Sequence, residues 1–262
     1  MKEHILEVVR QVEREYLVKI LYACEAGSRA WGFPSEDSDY DVRFIYVPSM
    51  DWYLSIDTNR DVIEIPKQEK VNITVDSRID MSGWELTKTL RLLRKSNPPL
   101  LEWLNSSLVY VQEEIFIDKL RALAYETFSP IPCIHHYLKM AKANFRRLKE
   151  AEATSKGYVT VIRPLLAAKW IEKHNRMAPI ELYKLIEEMV ENDDIRNEFA
   201  FILQKKISGE DINSSDFSLL DDYIENELKQ IEVYTTTLHQ QKTNPTTKLD
   251  QFFKETLYTV WG

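Results

Sequence analysis

Apolar residues recur along this chain with two different periods, and the change from one to the other divides it. Ile5, Val8, Val9 and Val12 fall at helical spacing, so residues 4–17 predict a helix with one apolar face. Residues 18–24 (VKILYAC) form a short β-branched and apolar run, the pattern of a buried strand. The turn-rich segment GSRAWGFPSEDSD separates it from residues 40–47 (YDVRFIYV), which predict a second strand. Residues 61–65 (DVIEI) and 71–76 (VNITVD) predict two more, joined by the polar turn PKQEK. Ser82 and Glu85 have the spacing of a capping box, in which hydroxyl and carboxylate each satisfy a backbone N–H of the other residue. A helix is therefore predicted from Ser82, with Leu86, Leu90 and Leu93 as its apolar stripe, ending near Asn97 because Pro98 disfavours a helical residue before it.

From about residue 111 the strand signal fades. Amphipathic stretches follow near 114–127, 134–152, 160–174, 180–191, 195–207 and 216–240, separated by Pro, Gly or polar breaks. The expected fold class is α+β, a mixed sheet with helices, followed by an all-helical second domain, with one boundary between residues 1–110 and 111–262. With 262 residues, 44% of them hydrophobic, the chain can bury a full core in one large or two modest domains. Asp plus Glu number 42 against 34 Lys plus Arg, and the net charge of −8 disfavours coating duplex nucleic acid through bulk charge while leaving a local basic groove open. The start of the chain is charged throughout and no later segment is apolar enough to cross a bilayer, so no membrane association and a cytoplasmic location are expected. Cys24 and Cys133 have no partner at metal-ligand spacing; neither a disulfide nor a zinc site is expected, and both read as small buried hydrophobes.

The chemistry-bearing segment is Gly27-Ser28, ten residues, and then Asp39-Tyr40-Asp41 leading into an apolar strand. Side chains two apart on a strand share a face, so Asp39 and Asp41 can present paired carboxylates. Paired carboxylates suit Mg²⁺ or Mn²⁺, and two such ions can stabilise the attacking and leaving oxygens of an in-line phosphoryl displacement. Gly27 permits close approach of backbone to a phosphate, Ser28 adds a hydroxyl and an N–H, and a helix opening at Ser28 would aim its positive end at the same anion. Alone, an Asp-x-Asp pair reads as solvated turn chemistry; Gly27-Ser28 upstream reverses that reading.

Gly-Ser, a short loop and Asp-x-Asp on a strand together resemble the polymerase-beta-like nucleotidyltransferases, and EAGSRAWGFPSEDSDYDVRFIY is similar to a bacterial and phage branch of RNA-repair-pathway nucleotidyltransferases. The similarity extends through GWELTKTLRLLRKSNPPLLEWLNS and more weakly through HHYLKMAKANF and VIRPLLAAKW. The resemblance implies a nucleoside triphosphate as donor, Mg²⁺ or Mn²⁺ held by Asp39 and Asp41, an RNA acceptor, and a third catalytic carboxylate from a neighbouring strand. Asp80, just before the Ser82 cap, is the first choice for that residue, with Asp76 and Glu64 as competitors. Arg163 is a nucleotide-binding candidate on the resemblance alone.

Basic residues supply the other candidates. Arg29 directly follows Ser28 and either contacts a phosphate or pairs with Glu36 or Asp37 on its loop. Lys88, Arg91 and Lys95 recur at helical spacing as one basic face, which a polyphosphate or simply solvent could occupy; Lys88 is the nucleotide-binding candidate among them. Residues 139–149 (KMAKANFRRLK) are the most basic stretch, with Lys142, Arg146 and Arg147 as acceptor-binding candidates opposite a predicted apolar face of Tyr137, Met140, Ala141, Phe145 and Leu148. Two readings compete with RNA modification: the same transfer onto a small molecule or protein, and a non-catalytic nucleotide-sensing or interaction protein that keeps the fold.

Overall fold

Ile5, Val8, Val9 and Val12 are buried on one face of helix α1 (Lys2–Tyr16), which lies against the sheet. Leu17 closes that helix in the left-handed conformation, at φ 54°, and turns the chain into β1 (Val18–Glu25). The computed structural model describes residues 1–65, 71–151, 153–210, 212, 217–239 and 244–262. Four more strands join β1: β2 (Tyr40–Pro48), β3 (Val62–Ile65), β4 (Ile79–Glu85) and β5 (Val109–Gln112). Their order is β3-β4-β2-β1-β5, with β2 and β4 parallel and the other neighbours antiparallel, so the sheet is mixed as expected.

Alternation decides which way each strand faces. Val42, Phe44 and Tyr46 of β2, Ile79 and Met81 of β4, and Ile63 and Ile65 of β3 enter one cluster with the apolar face of α1. Asp41 and Arg43, at the intervening positions of β2, therefore take the opposite face, as do Asp80 and Ser82 of β4.

The predicted capping box is corrected here. Ser82 is a strand residue, registered between Arg43 of β2 and Glu64 of β3, and the helix α4 (Leu86–Leu93) begins three residues later than a cap at Ser82 would start it. Glu85 is the cap: its carboxylate accepts from the N–H groups of Thr87 at 2.7 Å and Lys88 at 3.1 Å. Gly83 explains the misreading. It is the register partner of Phe44, and a Cβ built on it would lie 2.0 Å from the Phe44 ring, so the glycine serves a cross-strand contact. Residues 71–76 form no strand, although Val71, Ile73 and Val75 still pack against the α1 cluster; the PKQEK turn lies outside the described residues. The short strand β5 was not foreseen.

Short helices α2 (Gly27–Trp31) and α3 (Met50–Tyr53) interrupt the strands, and α5 (Pro98–Leu104) follows α4, capped by the Asn97 side chain. Trp103 of α5 stacks on Trp84 of β4 at 3.8 Å between centroids. Next come α6 (Glu114–Thr127), α7 (Pro130–Glu150), α8 (Ser155–His174), α9 (Leu182–Met189), α10 (Asp193–Ser208), α11 (Ser218–Thr235) and α12 (Thr246–Trp261). Helix α8 is buried on nearly all sides, and Pro164 lies in its interior. Helix α12 was not foreseen. Both cysteines are free and buried, and burial pushes the Cys24 thiol up to about 12, as suits an unreactive core residue. No helix among the described residues is long and apolar enough to cross a membrane.

The chain divides into two compact units: Met1–Ala30, Ser38–Thr127 and Thr243–Gly262 form one, Trp31–Asp37 and Phe128–Lys242 the other. Set beside the single cut expected after residue 110, α6 and α12 fall on the sheet side and residues 31–37 on the helical side. In the first unit Phe252 of α12 stacks on Phe116 of α6, with centroids 5.4 Å apart. In the second, the Lys206 ammonium donates to the carbonyl of Phe33 at 3.0 Å.

Gly83→Ala is expected to lower stability by about 1–3 kcal/mol, because the added methyl must displace the buried Phe44 ring. Urea unfolding at neutral pH checks this, and Gly83→Ala combined with Phe44→Leu should recover part of the loss.

Candidate active site on strands β2 and β4

The parallel register sets Tyr40 opposite Ile79, Asp41 opposite Asp80 and Arg43 opposite Ser82, which brings two of the three chosen carboxylates side by side on one face. Asp39 precedes β2 and is exposed. Asp76 pairs instead with Arg78, through bonds of 2.9 and 3.1 Å that hold its carboxyl well below the usual range. Glu64 sits one strand further out, opposite Ser82, with Arg60 at 2.7 Å. Asp80 alone among these three is the register partner of Asp41.

The two halves of the motif meet at Gly27. Its φ is +59°, and a Cβ there would lie 1.9 Å from Asp41 Oδ2, so both backbone conformation and space require glycine. The N–H of Ala26 donates to the Asp41 carbonyl at 2.8 Å, fastening the end of β1 to β2. Ser28 is half-buried in the single turn of α2, which opens at Gly27 rather than Ser28. Arg29 makes neither loop ion pair considered for it. It donates to the carbonyls of Ser38 at 2.7 Å and Asp39 at 3.0 Å and lies 3.7 Å over the Tyr40 ring, clamping the chain into β2.

Three residues of this centre went unread in the sequence. Arg43 Nη2 donates to Asp41 Oδ1 and to Asp80 Oδ2, both at 2.8 Å, while Nη1 donates to the Asp80 carbonyl at 2.9 Å. Its signal was available, since Arg43 stands two residues beyond Asp41 and must share its face. Glu25, at 1% exposure, lies behind Asp41: its Oε1 accepts from the Asp41 N–H at 2.8 Å and its Oε2 from the Tyr110 hydroxyl. Burial raises the Glu25 pKa against the lowering effect of those two bonds, and the Asp41 charge raises it further. Burial also raises the Asp41 pKa; Arg43 opposes the shift, whereas Asp80 and Asp39 add to it. Nothing in the spacing of Glu25 and Tyr110 joins them, because the β1–β5 pairing does so.

The basic candidates are spread more widely. Lys88 Nζ pairs with Asp61 at 3.0 Å, while Arg91 and Lys95 are exposed. Arg163 is buried at 4% exposure, with its guanidinium 4.2 Å from the centroid of the Trp31 ring. On α7, Lys142 pairs with Glu232 at 2.5 Å and Arg146 lies 3.9 Å from Glu150, while Arg147 is exposed. Met140, expected on the apolar face of α7, is 37% exposed.

Among the described residues no three His, Cys, Asp or Glu side chains are gathered tightly enough to hold a metal ion as they stand. The donors at Asp41 and Asp80 nevertheless suit a hard divalent cation. Both are carboxylate oxygens, and both already converge on one positively charged nitrogen, Arg43 Nη2.

The profile of the RNA repair pathway DNA polymerase beta family, RlaP, matches residues 1–255. This chain belongs to that family. At the level of the superfamily it is a nucleotidyltransferase. It is 42% identical to the uncharacterized protein YcgL of Bacillus subtilis (strain 168), over 100% of this chain and 98% of YcgL. A solved structure of a nucleotidyltransferase-like protein from Exiguobacterium sibiricum 255-15 matches with 11% identity and a TM-score of 0.33, covering 97% of this chain and 80% of that one.

Because the folded-state pKa of Glu25 is raised above its ordinary 4.5, the folded state holds more protons than the unfolded one between those values, and the contribution of Glu25 to stability falls as pH rises through that window. Glu25→Gln is therefore expected to flatten part of this decline. Unfolding of wild type and variant at pH 4.5 and pH 7 measures it, and an equal decline in both proteins would remove Glu25 as the source.

Proposed function

We propose that this protein transfers a nucleoside monophosphate from a nucleoside triphosphate to a hydroxyl of an RNA acceptor in the cytoplasm, releasing pyrophosphate. The observation that carries the reading is the placement of Asp41 against both Gly27 and Asp80, which unites the triphosphate half of the motif with two carboxylates. Asp39, Asp41 and Asp80 would hold Mg²⁺ or Mn²⁺, which when bound supplies charge stabilisation to the attacking and leaving oxygens of the transferring phosphoryl group.

The chain's own residues do the rest. Gly27 leaves the backbone open to the phosphates, and the Ser28 hydroxyl donates to one of their oxygens. Arg29, by holding the carbonyls of Ser38 and Asp39, keeps the Asp39 backbone aligned with β2. Glu25 fixes the Asp41 backbone through its N–H. The half-exposed Asp80 carboxylate is the residue that accepts the proton of the attacking hydroxyl. Lys88 and Arg163 as nucleotide contacts draw less support, since the first is paired with Asp61 and the second is buried on Trp31.

RNA as the acceptor draws on the family description and on α7. The ion pairs of Lys142 and Arg146 are partly exposed, and surface pairs of this kind contribute only about 0–1 kcal/mol, so an RNA backbone can compete for these side chains.

The deciding experiment incubates the protein with each α-labelled nucleoside triphosphate, Mg²⁺ and total cellular RNA. Label in RNA is expected; label in protein or small molecules would overturn the RNA reading, and unchanged nucleotide across a broad acceptor screen with Mg²⁺ and Mn²⁺ would overturn the enzymatic one. Asp41→Asn and Asp80→Asn should each reduce transfer to background with the fold retained by circular dichroism, whereas Ser28→Ala should cost roughly 1–3 kcal/mol of triphosphate use. Replacing Lys142, Arg146 and Arg147 together by Gln should flatten the salt dependence of acceptor binding by about 0.7–0.9 in slope for each lost phosphate contact. Triphosphate affinity should stay within twofold, roughly, because these residues serve the acceptor alone.

A further inference from the structure

Arg43 stands where two proposed metal ligands converge, and no step of the transfer described above uses it. Its guanidinium makes a bond to each of Asp41 Oδ1 and Asp80 Oδ2 through one nitrogen, and Nη1 donates to the Asp80 and Val42 carbonyls at 2.9 and 3.1 Å. The side chain is 18% exposed, Asp41 29% and Asp80 52%, so the cluster is screened from water more on the Arg43 side than on the Asp80 side. Asp41 and Asp80 lie on adjacent strands of fixed register, and with Asp39 nearby they bring three negative charges to one edge of the sheet. Without a counter-charge such carboxylates repel, and burial of Asp41 adds to the cost.

We infer that Arg43 is a resident counter-ion that competes with the divalent cation: it holds Asp41 and Asp80 together and must release both carboxylates for a cation to be bound. This rests on reading Asp41 and Asp80 as metal ligands. The physical reason is that the guanidinium, with the same sign of charge as the cation, occupies the space between the facing oxygens Asp41 Oδ1 and Asp80 Oδ2. A cation such as Mg²⁺, with ligand oxygens at about 2.0–2.1 Å, would not share that space with the guanidinium nitrogen. Release leaves Arg43 beside a centre that gains an anionic triphosphate together with its cation, and its positive charge then faces that ligand instead of the carboxylates. Arg43 is thus a positioning residue that couples metal loading to donor loading, and metal alone is expected to bind weakly.

The test reads metal binding without any turnover. Free Mn²⁺ is followed by electron paramagnetic resonance during titration of wild type, Arg43→Gln and Asp80→Asn in the absence of nucleotide. Arg43→Gln is expected to bind Mn²⁺ about tenfold tighter or more, a change of the size by which one neighbouring opposite charge moves a carboxylate's proton affinity. It should also melt lower than wild type without metal and close that gap at saturating Mn²⁺. Equal or weaker Mn²⁺ binding by Arg43→Gln, with Asp80→Asn abolishing it in every background, would overturn the counter-ion role while the metal site stands. Mn²⁺ binding indifferent to Asp80→Asn would overturn the metal reading and this inference with it. Should Arg43→Gln fail to fold, ¹⁵N-arginine spectra of the wild-type protein titrated with Mg²⁺ answer the same question, with Arg43→Lys identifying the resonance. Loss of the slowly rotating, hydrogen-bonded Arg43 signal supports the inference, and a signal unmoved by saturating Mg²⁺ overturns it.

Discussion

The parallel pairing of β2 with β4 is the constraint on which the candidate centre depends. It is fixed by packing on one face and expressed as chemistry on the other. On the α1 side, Phe44 lies across Gly83 so closely that no Cβ fits, while Val42 and Met81 fill the adjoining layer. A slip of one residue would turn Asp80 to the α1 side and bring a side chain onto the Phe44 ring. An apolar contact thus determines which carboxylate stands beside Asp41.

That placement concentrates negative charge, and the structure offsets it in layers. Arg43 lies between Asp41 and Asp80, and Arg29 holds the preceding carbonyls and covers Tyr40. Glu25, the most buried carboxylate of the group, is satisfied by a hydroxyl and a backbone N–H from two different strands. Because both Glu25 and Asp41 have raised pKa values, the folded protein carries an electrostatic cost near neutral pH, and positive charge brought to this face relieves it.

The helical unit presents the reverse balance. Its most basic helix, α7, packs beside α11, whose Asp221 and Glu232 take up Lys149 and Lys142. Lys169 of α8 is tied to Glu227 of the same α11 at 2.7 Å. Acidic residues on α11 therefore moderate the basic stretch, in keeping with a chain of net charge −8. Residues 31–37 belong to this unit although they lie in sequence between the two halves of the Gly-Ser and Asp-x-Asp motif, and within it Arg163 lies over Trp31 and Lys206 bonds the Phe33 carbonyl.

Where a local period is enough, the sequence determined the result. The α1 face, strands β1 and β2 and the positions of six later helices all follow from spacing along one segment, because each element's orientation depends on residues only two to four apart. Elements whose identity depends on a partner distant in sequence were decided by tertiary structure. The Ser-Gly-Trp-Glu segment satisfies a capping box and a strand equally well, and only β2 on one side and β3 on the other make it a strand. Pro164 sits inside α8, where burial by neighbouring helices outweighs the local cost of a missing N–H. The pairing of Asp80 with Asp41, the place of Arg43 between them and the Glu25–Tyr110 bond likewise join residues from separate strands. Spacing along a chain carries no information about which strands become neighbours, because that choice is made by the core they bury together.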